Sequence, residues 1–421
     1  MNQELSRADI ARLQELARRK QAAANSATNQ EKIQAWLAHD AGENDRIMIL
    51  GELIGLAGEA HPVPPSVCTC SSPWARSVER GLLGDLYAVE TYCDDRPISA
   101  CTNVRWQIDG GHYGVVIPEH DASAGGQMGS KAWDPVLIDL DTDLEKLKHR
   151  TFSVDREATK AAVDRINDVM GEWLPARIRG LPFWSLGMTD TVMQLMGMED
   201  YMLAMYDNPE GLHSLMRFMC DDYLTLIDWL EQENLIPLNN ADDYVGSGSV
   251  GYTQTLPEPG RADDQAWTLR DCWLLLESQE TVGISPDLFA EFVLPYQREL
   301  AERCGRLYYG CCEPLHERWE HVKTLPNLAR ASVSPWADQA VMAERLGRDY
   351  VYSRKPNPTL VSTATFDEEA IRADLRNTLA IAGDLRLEII MKDVHTLNGD
   401  SDRMRRWVQI ARGEVARYGR G

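Results

Sequence analysis

From about residue 150 onward, short apolar runs alternate with segments of helical spacing, and this alternation constrains the fold more than any other feature. The runs are LPFWSLG (181–187), NLIPLNNADD (234–243), CWLLLES (272–278), RLYYGCC (306–312), ARASVSP (329–335), DYVYSRKP (349–356) and LEIIMKDVH (387–395). Between them lie stretches such as PEGLHSLMRFMCDDYLTLIDWLEQEN and DEEAIRADLRNTLAIAG, whose apolar residues recur three and four apart. Strands that are apolar throughout belong in a sheet covered on both faces, and strand–helix–strand repetition makes that sheet mainly parallel. Two earlier candidates, in ISACTNVRWQIDG and YGVVIP, bring the total to about the eight that close a barrel. The expected fold class is therefore α/β, a (β/α)8 TIM barrel, with an open doubly wound sheet as the competing arrangement. No Gly-x-Gly-x-x-Gly or Walker loop is assigned to the end of any strand, so the nucleotide-binding versions of the open sheet have no support.

The first 60 residues read differently. LSRADIARLQELARRKQAA and NQEKIQAWLAHD have helical spacing and RIMILGELIGLAG continues it, which predicts an N-terminal helical extension over 1–75 ahead of a barrel over 76–421. HPVPPSVCTCSSPW and the Gly-rich GGQMGS (125–130) are expected loops. The polar N-terminus lacks an apolar core of the signal-peptide kind, and no apolar run is long enough to span a bilayer, so a cytoplasmic protein without membrane partners is expected. With 43 basic and 65 acidic residues the net charge is −22, a field that repels phosphate backbones, so nucleic acid is not an expected partner. Nine scattered cysteines in such a chain read as thiols rather than a disulfide framework. The apolar N-terminal helices offer a face for a homodimer.

Polar residues gather at one end of the predicted strands. Asp242 and Asp243, Glu277 and Gln279, Cys311, Cys312 and Glu313, Asp338, Lys355, and Asp393 with His395 all follow the apolar part of their runs. In a parallel barrel these carboxyl ends converge on one mouth, where an active site is expected. If 306–312 is a regular strand, Leu307, Tyr309 and Cys311 share one face and only one cysteine can point to the axis. If the strand ends at Gly310, the turn brings both cysteines to the rim.

The segments MTDTVMQLMGMEDYMLAMYDNPEGLHSLM (188–216) and VGISPDLFAEFVLPYQREL (282–300), followed by the Cys-bearing strand, resemble the uroporphyrinogen decarboxylase superfamily over roughly residues 180–410. That superfamily has a (β/α)8 barrel and includes zinc-dependent corrinoid methyltransferases. The Met-Arg-Gln-Ala-Gly-Arg substrate loop of the true decarboxylases is missing, so the resemblance is closer to the methyltransferase branch. There, His-x-Cys at the end of one strand and a second Cys near the end of the last strand bind zinc. In this chain Tyr309 stands in the place of the histidine, Cys311 in that of the cysteine, and His395 about where the second cysteine belongs. The resemblance implies zinc on Cys311 or Cys312, His395 and an acid, Glu277 in preference to Glu313, with the fourth position left for substrate.

The implied function is methyl transfer between a small methylated substrate and a corrinoid, a cobalamin-type cofactor. Because no Asp-x-His-x-x-Gly corrinoid signature occurs, a partner protein is expected to carry it. Glu277, Tyr309, Asp242 and Asp243 are the catalytic candidates, and Trp184, Gln279, Trp336 and Lys355 the substrate-binding ones. Two alternatives stand beside this reading: a metal-independent decarboxylase or lyase using Asp242, Asp243 and Tyr309, and a non-catalytic module that binds a small molecule or corrinoid. Each candidate also has a structural role open to it, Glu277 as a partner of Lys355 or Arg354, His395 as a bonded structural histidine, and the tryptophans as core or pocket wall.

Overall fold

The protein is described by a computed structural model covering residues 5–56, 58, 61–121, 131–260 and 265–419. The expected loop at 125–130 lies outside these residues. Six parallel strands form one sheet: β1 (Met48–Gly51), β4 (Trp273–Leu276), β5 (Arg306–Tyr309), β6 (Leu328–Val333), β7 (Val351–Arg354) and β8 (Leu387–Met391). Their order is β1-β8-β7-β6-β5-β4, with registers such as Met48 opposite Glu388 and Leu276 opposite Tyr309. A separate parallel pair joins β2 (Thr102–Val104) to β3 (Ala176–Ile178). The chain is thus α/β with a parallel central sheet.

Five of the apolar runs are sheet strands, and two are not. Residues 181–187 and 234–243 form no ladder, yet both meet the outer edge of β4. The Leu186 N–H donates to the Leu275 carbonyl at 3.2 Å, and the Asn239 amide brackets Trp273, donating to its carbonyl at 2.9 Å and accepting from its N–H at 2.8 Å. A side-chain amide has replaced a strand there. The YGVVIP segment is irregular as well, whereas ISACTNVRWQIDG supplies β2 and the short strand Gln107–Asp109, antiparallel to Ser153–Asp155. MILG, expected to be helical, is the edge strand β1. Four residues buried on both faces carry no period, so a short apolar run there looks the same as a turn of buried helix.

The strands are apolar throughout because both faces are covered. Leu274, Leu276, Leu307, Tyr309, Ile389 and Met391 pack into the main core with the helices. Trp273, Leu275 and Tyr308 pack the opposite face with Val245 and Leu256, and Leu50 and Ile390 do so with Trp36. The longest helix, Pro209–Gln232, starts on an Asn208 side-chain cap and a proline, and buries Leu212, Leu215, Met216, Met219, Tyr223, Leu226 and Leu230 along one stripe. Truncating one such leucine to alanine costs about 2–5 kcal/mol.

Of the two N-terminal helices the second packs on the sheet, through Trp36, and the first on the helices Pro73–Tyr87 and Arg156–Met170. Ser6 and Ser26 cap Arg7–Ala24 and Ala27–Ala41. The second helix delivers Asp40, which accepts from Arg330 and Arg306 at 3.0 Å each. Arg330 also donates to Ser249 Oγ at 2.6 Å, and Ser249 donates to Glu388 at 2.8 Å. The Asp40 and Glu388 carboxyls stay below their ordinary values: burial opposes ionisation, but Arg330 with Arg306 at Asp40, and Arg330 with Lys355 and Ser353 at Glu388, together outweigh it. Gly246–Gly251 has the Gly-x-Gly-x-x-Gly spacing not assigned from the sequence. It forms the turn of an antiparallel hairpin, Tyr244–Gly246 with Ser249–Val250, rather than a strand-to-helix turn, and so does not make a phosphate loop. Among the described residues no helix is long and apolar enough to cross a membrane.

Candidate functional site

A cavity of about 730 Å³ opens at the carboxyl ends of the strands. Its wall is built from the residues just after strand ends: Glu52 after β1, Arg105 after β2, Arg179 after β3, Gln279 after β4, Cys311 and Cys312 after β5, and Lys392 with His395 after β8. A parallel sheet concentrates side chains in this way because every strand ends on the same side.

The vicinal cysteines owe their place to Gly310. Its φ of +96° stops the alternation of β5, and a Cβ there would come within 2.9 Å of Leu315 and 3.2 Å of Ser332. The strand therefore ends at Tyr309, and both cysteines reach the rim. Glu313, fully buried, ties the turn down by accepting from the Cys311 and Ser278 N–H groups at 2.8 and 2.9 Å. The two sulfurs lie 3.7 Å apart. The Lys392 ammonium sits 3.5 Å from the Cys311 sulfur, 3.2 Å from Asp393 Oδ2 and 3.2 Å from Ser247 Oγ, while the Cys312 sulfur lies 3.9 Å from Asp393 Oδ2. The hydrogen bond between the thiols, helped by burial of Cys311, raises the Cys311 pKa and lowers that of Cys312. Cys312 is thus the more readily ionised of the pair. Burial works against the Lys392 charge, but the thiol and carboxyl groups around it, Asp393 among them, together outweigh it and raise its pKa.

Of the residues singled out from the sequence, Asp242, Asp243, Trp184, Gln279, Cys311, Cys312 and His395 line this cavity. Asp242 and Asp243 are held by arginines: Arg177 meets Asp242 at 2.7 Å, and Arg179 grips Asp243 with two bonds of 3.0 and 2.6 Å. Trp184 is half exposed and donates to the Tyr244 hydroxyl at 3.5 Å. His395 faces Gly55, where a Cβ would lie 3.0 Å from Nδ1.

Four expected site residues stand outside the cavity wall. Tyr309 points to the helix side of the sheet, donating to Gln297 Oε1 at 2.8 Å, because side chains alternate and Tyr308 takes the opposite face. Glu277 is buried against Ser185 and the Gln279 N–H. Burial first, then Glu280 and Glu313, push its carboxyl well above the ordinary range. Lys355 belongs to the interior network, donating to Tyr308 Oη at 2.9 Å; burial lowers its pKa to about 7, against the pull of Glu388. Trp336 is 67% exposed, on a turn after β6.

The zinc set implied by the resemblance is not drawn together. Glu277 is turned away, and among the described residues no three His, Cys, Asp or Glu side chains form a group that could hold a metal ion. The only charged neighbour close to the Cys311 sulfur that these contacts provide is the Lys392 ammonium. The donor set present therefore does not fit the three-ligand zinc site.

Glu52, Arg105, Arg179, Tyr244 and Lys392 line the cavity without having been singled out. Lys392 carries a readable signal, since it directly follows the last apolar strand. Arg105 and Arg179 follow three-residue strands, which are too short to show a period.

No family model matches the chain, and no curated protein matches it. Among solved structures it is similar in outline to a methyltransferase from Methanosarcina mazei, with 11% identity and a TM-score of 0.49 over 90% of this chain and 97% of that one. At this distance the likeness says nothing about the chemistry of this chain.

Proposed function

We propose that the chain is a methyltransferase that takes a small methylated substrate into the cavity and exchanges its methyl group with a corrinoid carried by a partner protein. The observation that carries this reading is the vicinal thiol pair beside a buried ammonium at the end of a cavity large enough for a small molecule. Methyl transfer joins a soft electrophilic carbon to a soft nucleophile, and a thiolate is the softest such group that protein side chains provide. Here Cys312 is the sulfur disposed to ionise, Lys392 holds its partner Cys311, and Trp184 and Gln279 wall the substrate side.

The same reading closes the sheet into a (β/α)8 barrel, the six-stranded sheet and the parallel pair β2–β3 together supplying eight strands.

The test is substrate-dependent methylation of free cob(I)alamin, followed by its absorption spectrum, across methylated amines, thiols, aryl ethers and betaines. The expected result is turnover with at least one class, lowered on the order of a hundredfold or more in Cys311→Ser and Cys312→Ser. A double Cys311→Ala, Cys312→Ala variant with undiminished turnover would sink the reading. Stoichiometric zinc that disappears in the double variant would select a zinc-dependent version, and turnover surviving exhaustive chelation would reject it.

A further inference from the structure

We infer that the substrate carries an anionic group, a carboxylate, which pairs with the Arg105 guanidinium at the mouth of the cavity. Its reacting end reaches the Cys311–Cys312 pair, and this last clause rests on the methyl-transfer reading.

The inference comes from pairing off the charges on the cavity wall. Asp243 is taken by Arg179 and Asp242 by Arg177. Asp393 is taken by Lys392. Two groups remain, Glu52 and Arg105. The Glu52 carboxyl is raised above its ordinary value by burial, against Lys392 and Arg96. Arg105 is exposed, and among the described residues its guanidinium makes no ion pair and no hydrogen bond. In a chain of net charge −22, where arginine side chains readily find carboxylates, a cavity-lining guanidinium without one is left for a ligand.

The backbone keeps room for it. Gly180, at φ +91°, lies against Arg105, and a Cβ at that position would stand 3.3 Å from Arg105 Nε. A side chain at 180 would be strained and would crowd the guanidinium. Phe183 and Trp184 continue the wall from Gly180, so the anion sits beside an aromatic surface. A planar guanidinium fork matches a carboxylate with two parallel hydrogen bonds, and a phosphate presents the same chemistry less selectively.

The experiment measures binding to the full chain by calorimetry, with no turnover required. The probes share a trimethylammonium group and differ in the anion: trimethylglycine with a carboxylate, choline with none, and phosphocholine with a phosphate. A second set, 4-methoxybenzoate against 4-methoxybenzyl alcohol, repeats the comparison on an aryl ether. The expected result is that in at least one set the carboxylate binds best, and that Arg105→Gln weakens it by about ten- to a hundredfold without weakening the analogue that lacks the anion. Arg105→Lys should recover part of the loss, and the melting temperature of all variants should match that of the parent, since Arg105 is exposed.

Equal binding of the members with and without the anion, an Arg105→Gln affinity for the carboxylate equal to the parent's, or no binding of any probe at millimolar concentration would overturn the inference. Preference for phosphocholine over trimethylglycine would reject the carboxylate. Failure of methyl transfer alone, with carboxylate binding dependent on Arg105 intact, would reject the proposed reaction and leave the anion subsite standing.

Discussion

The two ends of the parallel sheet treat charge in opposite ways. At the amino-terminal end, buried Asp40, Arg330 and Glu388 and half-buried Arg306 are linked into one network with Ser249, with Arg330 between Trp36 and Trp273. At the carboxyl end, two cysteines share a hydrogen bond, His395 stands exposed, and Arg105 has no partner among the described residues. Low-dielectric surroundings make an unpaired charge too costly to keep unless something offsets it, so pairing prevails where the interior is closed. Beside a cavity, water or a ligand can supply the missing partner, and unpaired or polarised groups persist there. The contrast separates the charges that hold the fold from those available for chemistry.

The largest expected effect comes from breaking the closed end. Arg330→Met leaves Asp40 and Glu388 buried without their main partner and should lower the unfolding free energy by about 3–5 kcal/mol, read by urea denaturation. A loss under about 1 kcal/mol would mean that the network is not what holds that end.

The second effect is pH-dependent. His39 is fully buried with Nε2 3.1 Å from the Leu387 carbonyl, and burial lowers its pKa from 6.5 to about 4. Between those values the unfolded chain binds the proton that the folded chain refuses. Stability should therefore fall as pH drops from 6.5 towards 4, by roughly 3 kcal/mol from this group, and level off for it below 4. The slope should be shallower in His39→Gln, and an unchanged slope would remove His39 from the account.

At the open end the expected stability effects are small and the functional ones large. Cys312→Ser should unfold within about 1 kcal/mol of the parent, since the residue is only half-buried, while abolishing turnover. A variant destabilised by several kcal/mol would instead place Cys312 in the structural core. The smallest effect belongs to Trp336→Ala: exposed and outside the cavity, it should change stability by less than about 0.5 kcal/mol and leave binding of every probe unaltered.

The apolar strands of the second half were legible because a strand covered on both faces must be apolar and is punctuated by its helices. Five of the seven runs are strands, and the polar residues after 276, 309 and 391 do meet at one cavity. The failures have physical causes. MILG lacks a period, 181–187 and 234–243 touch the sheet without forming a ladder, and Tyr309 ends its strand with its side chain on the helix side, a direction that strand position alone does not fix. Glu277 ends its strand as read, yet its carboxylate turns to Ser185 rather than to the cavity.

The order of residues by itself determined that this chain builds a parallel α/β sheet and sends its polar strand ends to one side, since apolar periodicity and strand length are local properties. Only the tertiary structure decided which of those ends share a cavity. Gly310 turns both cysteines to the rim, Lys392 supplies the charge beside them, and Arg105 remains unpaired while its neighbours find carboxylates. Those outcomes depend on contacts between residues far apart in the chain, where the cost of burying a charge is settled by whichever partner the fold brings within reach.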